Sequence, residues 1–497
     1  MTIYFGDIHN HCGITYGYGS LKNALKMAKE QLDFCSITGH AMWPDIPKRT
    51  DKLNYLIDFH EKGFKKLHDN WNQIKNTIKK ANIENEFITF QSYEMHSSKY
   101  GDHHVLSPND DLPLIYSKTP SSLYDDLYKY NRIIIPHHIA YTPGYRGINW
   151  DYYNEEKSPI IEVFSKHGCS ISDRSPYNYY HTMGPRDSRN TIYEGLKKKK
   201  QFSFAASTDH HAGYPGSYGD GKIAVNAANK TRNSIFEAIK KGYTYAVTGD
   251  KIKCHFTVND AIYGSKIQPT KKRHIYLDVK ACDFIEKIIV YKNLTPFKTI
   301  YLENFSYINK NYRKYKLRIE FGWGKSTTGY NWNGEISIND GTILDVETCF
   351  RGRSVLAPTK DLIDNENINN LNNHIFEQSS NHITFVSNTV KNPSPLHPLT
   401  NSIIVEVNGN EQTTLSVSLN NKLVSHKISE LLTGVRSCHI DDYNSEAFTI
   451  SCIPDDFYEY SNQWIDYEEN TTNDFYHVVI KQLNGQMAWI SPIFLNA

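Results

Sequence analysis

A short apolar run, Ile3-Tyr4-Phe5, leads into Gly6-Asp7-Ile8-His9-Asn10-His11. On a strand, side chains two apart point the same way. His9 and His11 can therefore bring two imidazoles to one point where a strand opens into a loop. Neutral imidazoles aimed together are first of all a metal-ligand pair. A lone His-x-His is usually accidental, so the rest of the chain has to decide. Phe34-Cys-Ser-Ile37-Thr38 runs into Gly39-His40, and Phe87 to Tyr93 into Glu94 followed by His103-His104. Ile133-Ile-Ile-Pro136 ends at His137-His138, Ile160 to Phe164 near His167, and Phe202 to Ala206 at Asp209-His210-His211. Six candidate strands thus finish in His, Asp or Glu. In parallel α/β folds the carboxyl ends of strands converge on the active site. His60, His68 and His96 break this pattern and are read as surface or packing residues.

The elements that must position these groups alternate. Ser20 is a plausible cap for a helix beginning at Leu21. A long amphipathic stretch runs from about Asp51 to Lys80. Ser122-Leu-Tyr-Asp125 has the form of a capping box, and Ser234-Ile-Phe-Glu237 is expected to cap a helix running to Lys241. Strand, helix, strand is the rhythm of an α/β sheet or barrel. From about Lys253 the long helices vanish. Alternating runs take over at His255–Val258, Ile275–Val279, Lys287–Tyr291, Lys316–Ile319, Ile403–Val407 and His477–Ile480, with turn signals at Asn339-Asp340-Gly341 and Asn408-Gly409-Asn410. This predicts β-sandwich material. The Asn-rich stretch from Asp361 to Asn373 is expected to be a loop or short helix. Trp323, Trp332 and Trp464 are either sandwich core, the favoured reading, or a carbohydrate-recognition surface.

At 497 residues the chain is too long for one ordinary core, and two domains, or three, are expected. Lys+Arg 55 against Asp+Glu 54 leaves a charge of +1, so bulk electrostatics suggests no nucleic-acid or membrane partner. No apolar run reaches membrane-span length and no leader pattern precedes the first motif, so a cytoplasmic protein is expected. Eight scattered cysteines without a C-x-x-C pair read as thiols of a reducing compartment. No Ser-His-Asp elbow, P-loop or Rossmann glycine pattern competes with the metal reading.

In order and spacing, His9-x-His11, Thr38-Gly39-His40, Glu94, His104-Val-Leu, Ile-Pro-His137 and Asp209-His-His211 resemble the motifs of the PHP (polymerase and histidinol phosphatase) superfamily. Ala246-Val-Thr-Gly249-Asp-Lys-Ile252 and Gly485-Gln-Met-Ala488-Trp489-Ile-Ser491-Pro492-Ile493 resemble its branch of carbaryl-hydrolase-like proteins. The resemblance implies a distorted (β/α)7 barrel over residues 1–252, followed by an all-β, sandwich-like region over 253–497. It also implies a metal centre. His9, His11, Glu94 and Asp209 would hold one divalent ion, and Glu94 would bridge to a second held by His104 and His137. His40 and His211 would belong to a third position. His103 and His138 are the adjacent alternatives to His104 and His137. Two departures weaken the third position: Gly39 stands where the family has Asp, and Tyr16 and Tyr18 occupy a loop that often carries another ligand. Two ions are expected, with a third partial or absent unless His167 helps.

Mixed imidazole and carboxylate ligands favour Zn, Mn or Fe. The reaction expected is hydrolysis by a metal-bridging hydroxide, with Asp209, Glu94 and His40 as catalytic residues and a small-molecule ester as substrate. Arg174, His138 and His167 are the substrate-binding candidates. Lys166, Arg186, Arg189 and Lys222 also lie near ligand-bearing strand ends. Phosphoester hydrolysis, carbamate, ester or amide hydrolysis, and non-catalytic carbohydrate binding with a relict metal site are the three function classes left open. Cys12, beside His11, is the one thiol that could serve as a nucleophile.

Overall fold

The computed structural model describes residues 2–302, 313–326, 328–355, 371–391, 400–470 and 473–496. It is a mixed α/β molecule with many strands, few helices and several sheets. Strand β1 (Thr2–Asp7) is followed by helix α1 (Leu21–Lys29), β2 (Phe34–Ser36), β3 (Gly39–Met42), α2 (Asn54–Ala81) and β4 (Ile88–Met95). Next come β5 (His103–Ser107), α3 (Pro120–Asp126), β6 (Ile133–Pro136), β7 (Ile160–Ser165), β8 (Gly168–Cys169), α4 (Ile192–Lys197) and β9 (Ser203–Ala206). β10 (Lys222–Ala227), α5 (Arg232–Lys240) and β11 (Thr244–Val247) complete this half.

β1, β2 and β4 pair in parallel, as the strand–helix alternation predicts. β7 and β9 form a second parallel pair. The sequence did not signal the antiparallel members: β5 and β6 turn back beside β4, and β10 runs against β1. The register has a direct chemical result. His40 pairs with Glu94 across β3–β4, and Glu94 pairs with His104 across β4–β5, so three polar groups line up on adjacent strands.

Helix α2 buries Ile57, His60, Gly63, Leu67, Trp71, Ile74 and Ile78, the single face its spacing predicts. Ser20 caps α1, its hydroxyl accepting from Asn23 N–H at 3.2 Å. The other two expected caps move upstream. Thr119 caps α3, with Ser122 as the reciprocal member of the box, and Thr231 caps α5, accepting from Ser234 N–H. In both cases a threonine three residues earlier satisfies the orphan donors first.

All six alternating runs of the second half are strands. Two five-stranded sheets face each other, with Phe321 of one 5.3 Å from Trp332 and 5.5 Å from Phe385 of the other. Trp332 is core, its indole N–H donating to Thr389 Oγ1 at 2.8 Å. Trp323 is 48 % exposed. A four-stranded sheet joins Ala261–Ile262, Lys253–Val258, Lys272–Lys280 and Glu459–Tyr467. Residues 361–370 of the Asn-rich stretch lie outside the described residues. Connectivity changes near residue 252, yet hydrogen bonding crosses it: β11 pairs with Met487–Leu495, and the sheet continues through Asp474–Gln482, Ile285–Lys292 and Thr295–Tyr301. No described helix is long and apolar enough to cross a membrane. All eight cysteines are free, and seven are buried.

His477 lies inside this continuous sheet with neither ring nitrogen hydrogen-bonded, stacked on Tyr291 at 4.7 Å. Burial lowers its pKa to about 3. The unfolded chain takes up that proton near pH 6.5, so stability is lost as pH falls from about 6.5 toward 3. His477→Phe keeps the ring and removes the titration. Urea unfolding should show little change at pH 7.5 and a gain of about 2 kcal/mol at pH 5. An advantage that does not grow on acidification would refute this.

Candidate metal centre

Two buried carboxylates set the loops that carry the donors. Asp7, at the end of β1, accepts from His9 N–H at 3.2 Å, Thr208 Oγ1 at 2.6 Å and Gly216 N–H at 2.8 Å. It ties the loop after β1 to the loop after β9. Burial raises its pKa to about 6 against those hydrogen bonds. Glu162, in β7, meets His9 Nδ1 at 2.9 Å and accepts from His138 N–H at 3.2 Å. The Glu162–His9 contact leaves Nε2 of His9 facing the centre, the usual way a carboxylate orients a ligating imidazole.

His9 Nε2 and His11 Nε2 are 3.2 Å apart. Asp209 Oδ1 is 3.4 Å from the first and 3.0 Å from the second. Glu94 Oε2 is 3.6 Å and 3.5 Å from the same two atoms. A tetrahedral ion bound at about 2.0–2.1 Å holds its donors roughly 3.3–3.4 Å apart, so the four groups fit one ion. Glu94 Oε2 is buried and has no hydrogen-bond partner. A buried, unsatisfied carboxylate oxygen is costly, and here it is surrounded by imidazole nitrogens at co-ligand distances.

The other oxygen, Glu94 Oε1, faces His137 Nε2 at 3.1 Å, and His137 Nδ1 is 3.2 Å from His104 Nδ1. His9, His104 and His137 form a second buried group able to hold an ion, and His11, His40 and His211 a third. His40 Nδ1 meets Thr15 Oγ1 at 3.0 Å while its Nε2 stands 3.6 Å from Glu94 Oε2. His211 stacks on His11 at 4.2 Å. The departures noted in the sequence have steric correlates here. A Cβ at Gly39 would meet Leu67 of α2 at 2.5 Å. The Tyr16 ring lies 3.9 Å over His40, in space left by Gly63, whose Cβ would meet that ring at 2.4 Å.

The electrostatics follow from this crowding. Burial works to raise the Glu94 carboxyl, but His40, His96 and His137 hold it well below its usual range. Asp209 is lowered in the same way by His9 and His167. Burial pushes His40, His104, His138 and His211 well below the ordinary imidazole value, which keeps them neutral and able to ligate. His9 is raised, because Asp209 and Glu162 outweigh its burial. Asp209 and His138 adopt left-handed backbone, with φ of 49° and 34°. Such conformations concentrate at functional sites.

All eight proposed ligands come together. Of the substrate-binding candidates, His167 lies at the centre, its Nε2 3.0 Å from Asp209 Oδ2 and its Nδ1 2.5 Å from Tyr141 Oη. His138 packs 4.5 Å from both His137 and His167. Arg174 is exposed on the loop after β8. Lys166 pairs with Asp220, Arg186 donates to Cys169 O, Arg189 pairs with Asp187, and Lys222 donates to Gly249 O. Arg146 is the arginine at the centre. It pairs with Asp102, which meets His96 Nδ1 at 2.9 Å. His96 is therefore not a packing residue: its Nδ1 is 3.2 Å from Glu94 Oε1 and its Nε2 is 2.8 Å from Tyr16 Oη. It lies one alternation beyond Glu94 on the same side of the chain, a spacing that could have revealed it. Glu162, Asp102 and Asp7 left a weaker signal, an acidic residue within or beside an apolar run. His60 is a packing residue and His68 is exposed. Cys12 is buried, and burial pushes its thiol up to about 12.

No family model matches the chain. It is similar to uncharacterized proteins of three Chlamydia species: 24 % identical over 248 residues in Chlamydia pneumoniae, 26 % over 265 in Chlamydia muridarum and 27 % over 207 in Chlamydia trachomatis. These matches take in 45, 47 and 38 % of this chain and 40, 42 and 33 % of the respective relatives, so the similarity spans well under half the length of each. Against solved structures, the major pilin subunit BcpA of Bacillus cereus matches at 9 % identity over 50 % of this chain and 66 % of that one, with a TM-score of 0.09, too low to imply a shared fold.

The geometry ranks the residues by consequence. Glu94→Gln should lose most bound metal by elemental analysis. Glu162→Gln should keep the ligands but weaken metal affinity 10- to 100-fold in a chelator competition. Arg174→Ala should match wild type in both. Full metal content in the Glu94 variant would contradict this assignment.

Proposed function

We propose that this chain is a metal-dependent hydrolase of the PHP type, acting on phosphoric esters of small molecules in a reducing, cytoplasmic setting. In this reading β1 to β11 form a distorted (β/α)7 barrel whose strand ends hold two Zn, Mn or Fe ions. The observation that carries it is the unpartnered Glu94 Oε2 among the nitrogens of His9, His11 and His40, each 3.5–3.6 Å away. His9, His11, Glu94 and Asp209 would hold one ion, and Glu94, His104 and His137 would hold a second. His40 and His211 mark a third position, weakened by Gly39 and the covering Tyr16 ring. Bound divalent ions of this kind lower the pKa of water to about 7 and polarise a phosphoryl or carbonyl oxygen. The protein's own part is to orient and exclude. Glu162 fixes the His9 ring, Asp7 fixes both ligand loops, and Tyr141 with Asp209 holds His167 at the inner wall. Arg146, paired with Asp102 beside His96, is the cation this reading assigns to an anionic substrate group.

Carbamate, carboxylester or amide hydrolysis is the second reading. It is favoured by the pairing of Arg146 with Asp102 and by the aromatic neighbours Tyr16, Trp43 and Tyr141, which suit a neutral substrate. A non-catalytic carbohydrate-binding protein with a relict site is disfavoured by the nearly complete donor set.

Purified protein of known metal content should be assayed with p-nitrophenyl phosphate, bis-p-nitrophenyl phosphate, p-nitrophenyl acetate and an aryl carbamate. Phosphoester turnover is expected. Turnover of only the acetate or carbamate selects the second reading, and a fully metallated protein inert to all four defeats both. Asp209→Asn should abolish turnover, while Cys12→Ser should retain most of it. In ¹⁸O-water the label should enter product in a single turnover. A dead Cys12 variant with full metal content, or label found first in the protein, would require a covalent mechanism instead.

A further inference from the structure

A groove of about 1550 Å³ lies away from the metal centre and shares no lining residue with it. Its floor is the solvent face of the four-stranded sheet. Thr257, Tyr276 and Gln463 stand in one register row across three strands, and His274 pairs with Ile465 in the next. Their sequence neighbours Phe256, Ile275 and Leu277 point into the core, so the alternation of the strands fixes which side chains face the groove. The wall is Asn226 and Tyr243, locked together by the hydrogen bond from Asn226 N–H to Tyr243 O at 2.9 Å. Tyr276 is 38 % and Ile465 57 % exposed, which puts apolar surface on this sheet face.

Three features define the occupant. Among the lining residues, Asp260 and Lys272 are the two that carry full charges, and they offset each other, so the groove complements neither a polyanion nor a polycation. The remaining polar groups, the Thr257 hydroxyl, the Gln463 amide and the His255 and His274 imidazoles, both donate and accept, as hydroxyl-rich ligands require. The Tyr276 ring, with His255 edge-on at 5.9 Å, offers a flat face to a C–H surface. The volume exceeds the roughly 300–1,000 Å³ of a pocket for one compact ligand, which points to a chain.

We propose that this groove binds a neutral oligosaccharide along the sheet face, through Tyr276 and Gln463, independently of the metal centre. Trp464, half-buried against the core and paired with Ile275, also borders the groove, so its aromatic surface combines Tyr276 with the edge of that indole.

Calorimetric titration of the whole protein tests this with maltohexaose, cellohexaose, xylohexaose and chitohexaose. A heparin hexasaccharide and an extended Thr/Val-rich decapeptide, able to pair with the exposed Glu459–Tyr467 strand, serve as the contrasting arms. At least one neutral hexasaccharide should bind. Tyr276→Ala and Gln463→Ala should each weaken it at least tenfold, with melting temperature and metal content unchanged. Failure of all four neutral sugars, binding of heparin or peptide alone, or full sugar affinity in the Tyr276 variant would overturn the proposal.

Discussion

Asp250 is buried at the junction of the two halves and collects hydrogen bonds from three parts of the chain. Tyr218 Oη donates at 2.7 Å, Arg318 Nη2 reaches both oxygens at 3.0 Å, and Gln482 and Asn484 donate at 2.6 and 2.8 Å. Burial opposes the charge, yet Arg318 and these donors hold the pKa down to about 2. A buried carboxylate so fully engaged cannot lose a partner cheaply. It therefore fixes the sandwich strand Lys314–Gly322 and the turn after Asp474–Gln482 against the segment that follows β11. From that anchorage Phe350 to Val355 reaches the loop after β9. Tyr218 N–H donates to Phe350 O, Gly352 N–H to Ser217 Oγ and His211 N–H to Val355 O. The second half thus braces the loop that carries Asp209 and His211.

The donors of the centre come from strand ends far apart in sequence, and each is held by a neighbour with a different job. Sheet register aligns His40, Glu94 and His104, Asp7 joins two loops, and Glu162 turns one ring. The result is a set of imidazoles and carboxylates facing a common buried space, with His40, His104, His138 and His211 held neutral and Glu94 and Asp209 held ionised. Arg146 is joined to this set through Asp102 and His96.

What could be read from the sequence was local. His9, His11, Glu94 and Asp209 announced themselves because a polar group ending an apolar run is conspicuous, and the C-terminal strands did so by alternation. Pairing partners were not legible. Nothing local to β5 says that it returns antiparallel beside β4, and nothing near Tyr245 says that its neighbour is Ile490. The supporting carboxylates were hidden for the same reason: Glu162 within β7 is indistinguishable from a solvent-facing residue until the opposite face is known to be covered. Arg174 looked well placed because it follows His167, but the short hairpin β7–β8 turns it outward, and Arg146, from a different loop, takes the inner place. His96 was passed over although it follows Glu94 by one alternation, because the strand-end pattern was read only to the first polar group.

The single sheet that runs through both halves has a kinetic implication. β11 hydrogen-bonds to a strand that lies 245 residues further along, Tyr245 against Ile490. During synthesis the edge of β11 emerges long before its partner, leaving a row of unpaired amides and carbonyls that invites pairing with other chains. Contacts at such sequence separation close slowly. The polypeptide should therefore depend on a holding chaperone until the later strands arrive. Refolding from denaturant should be slow and concentration-sensitive, with losses to aggregation that begin at this one edge.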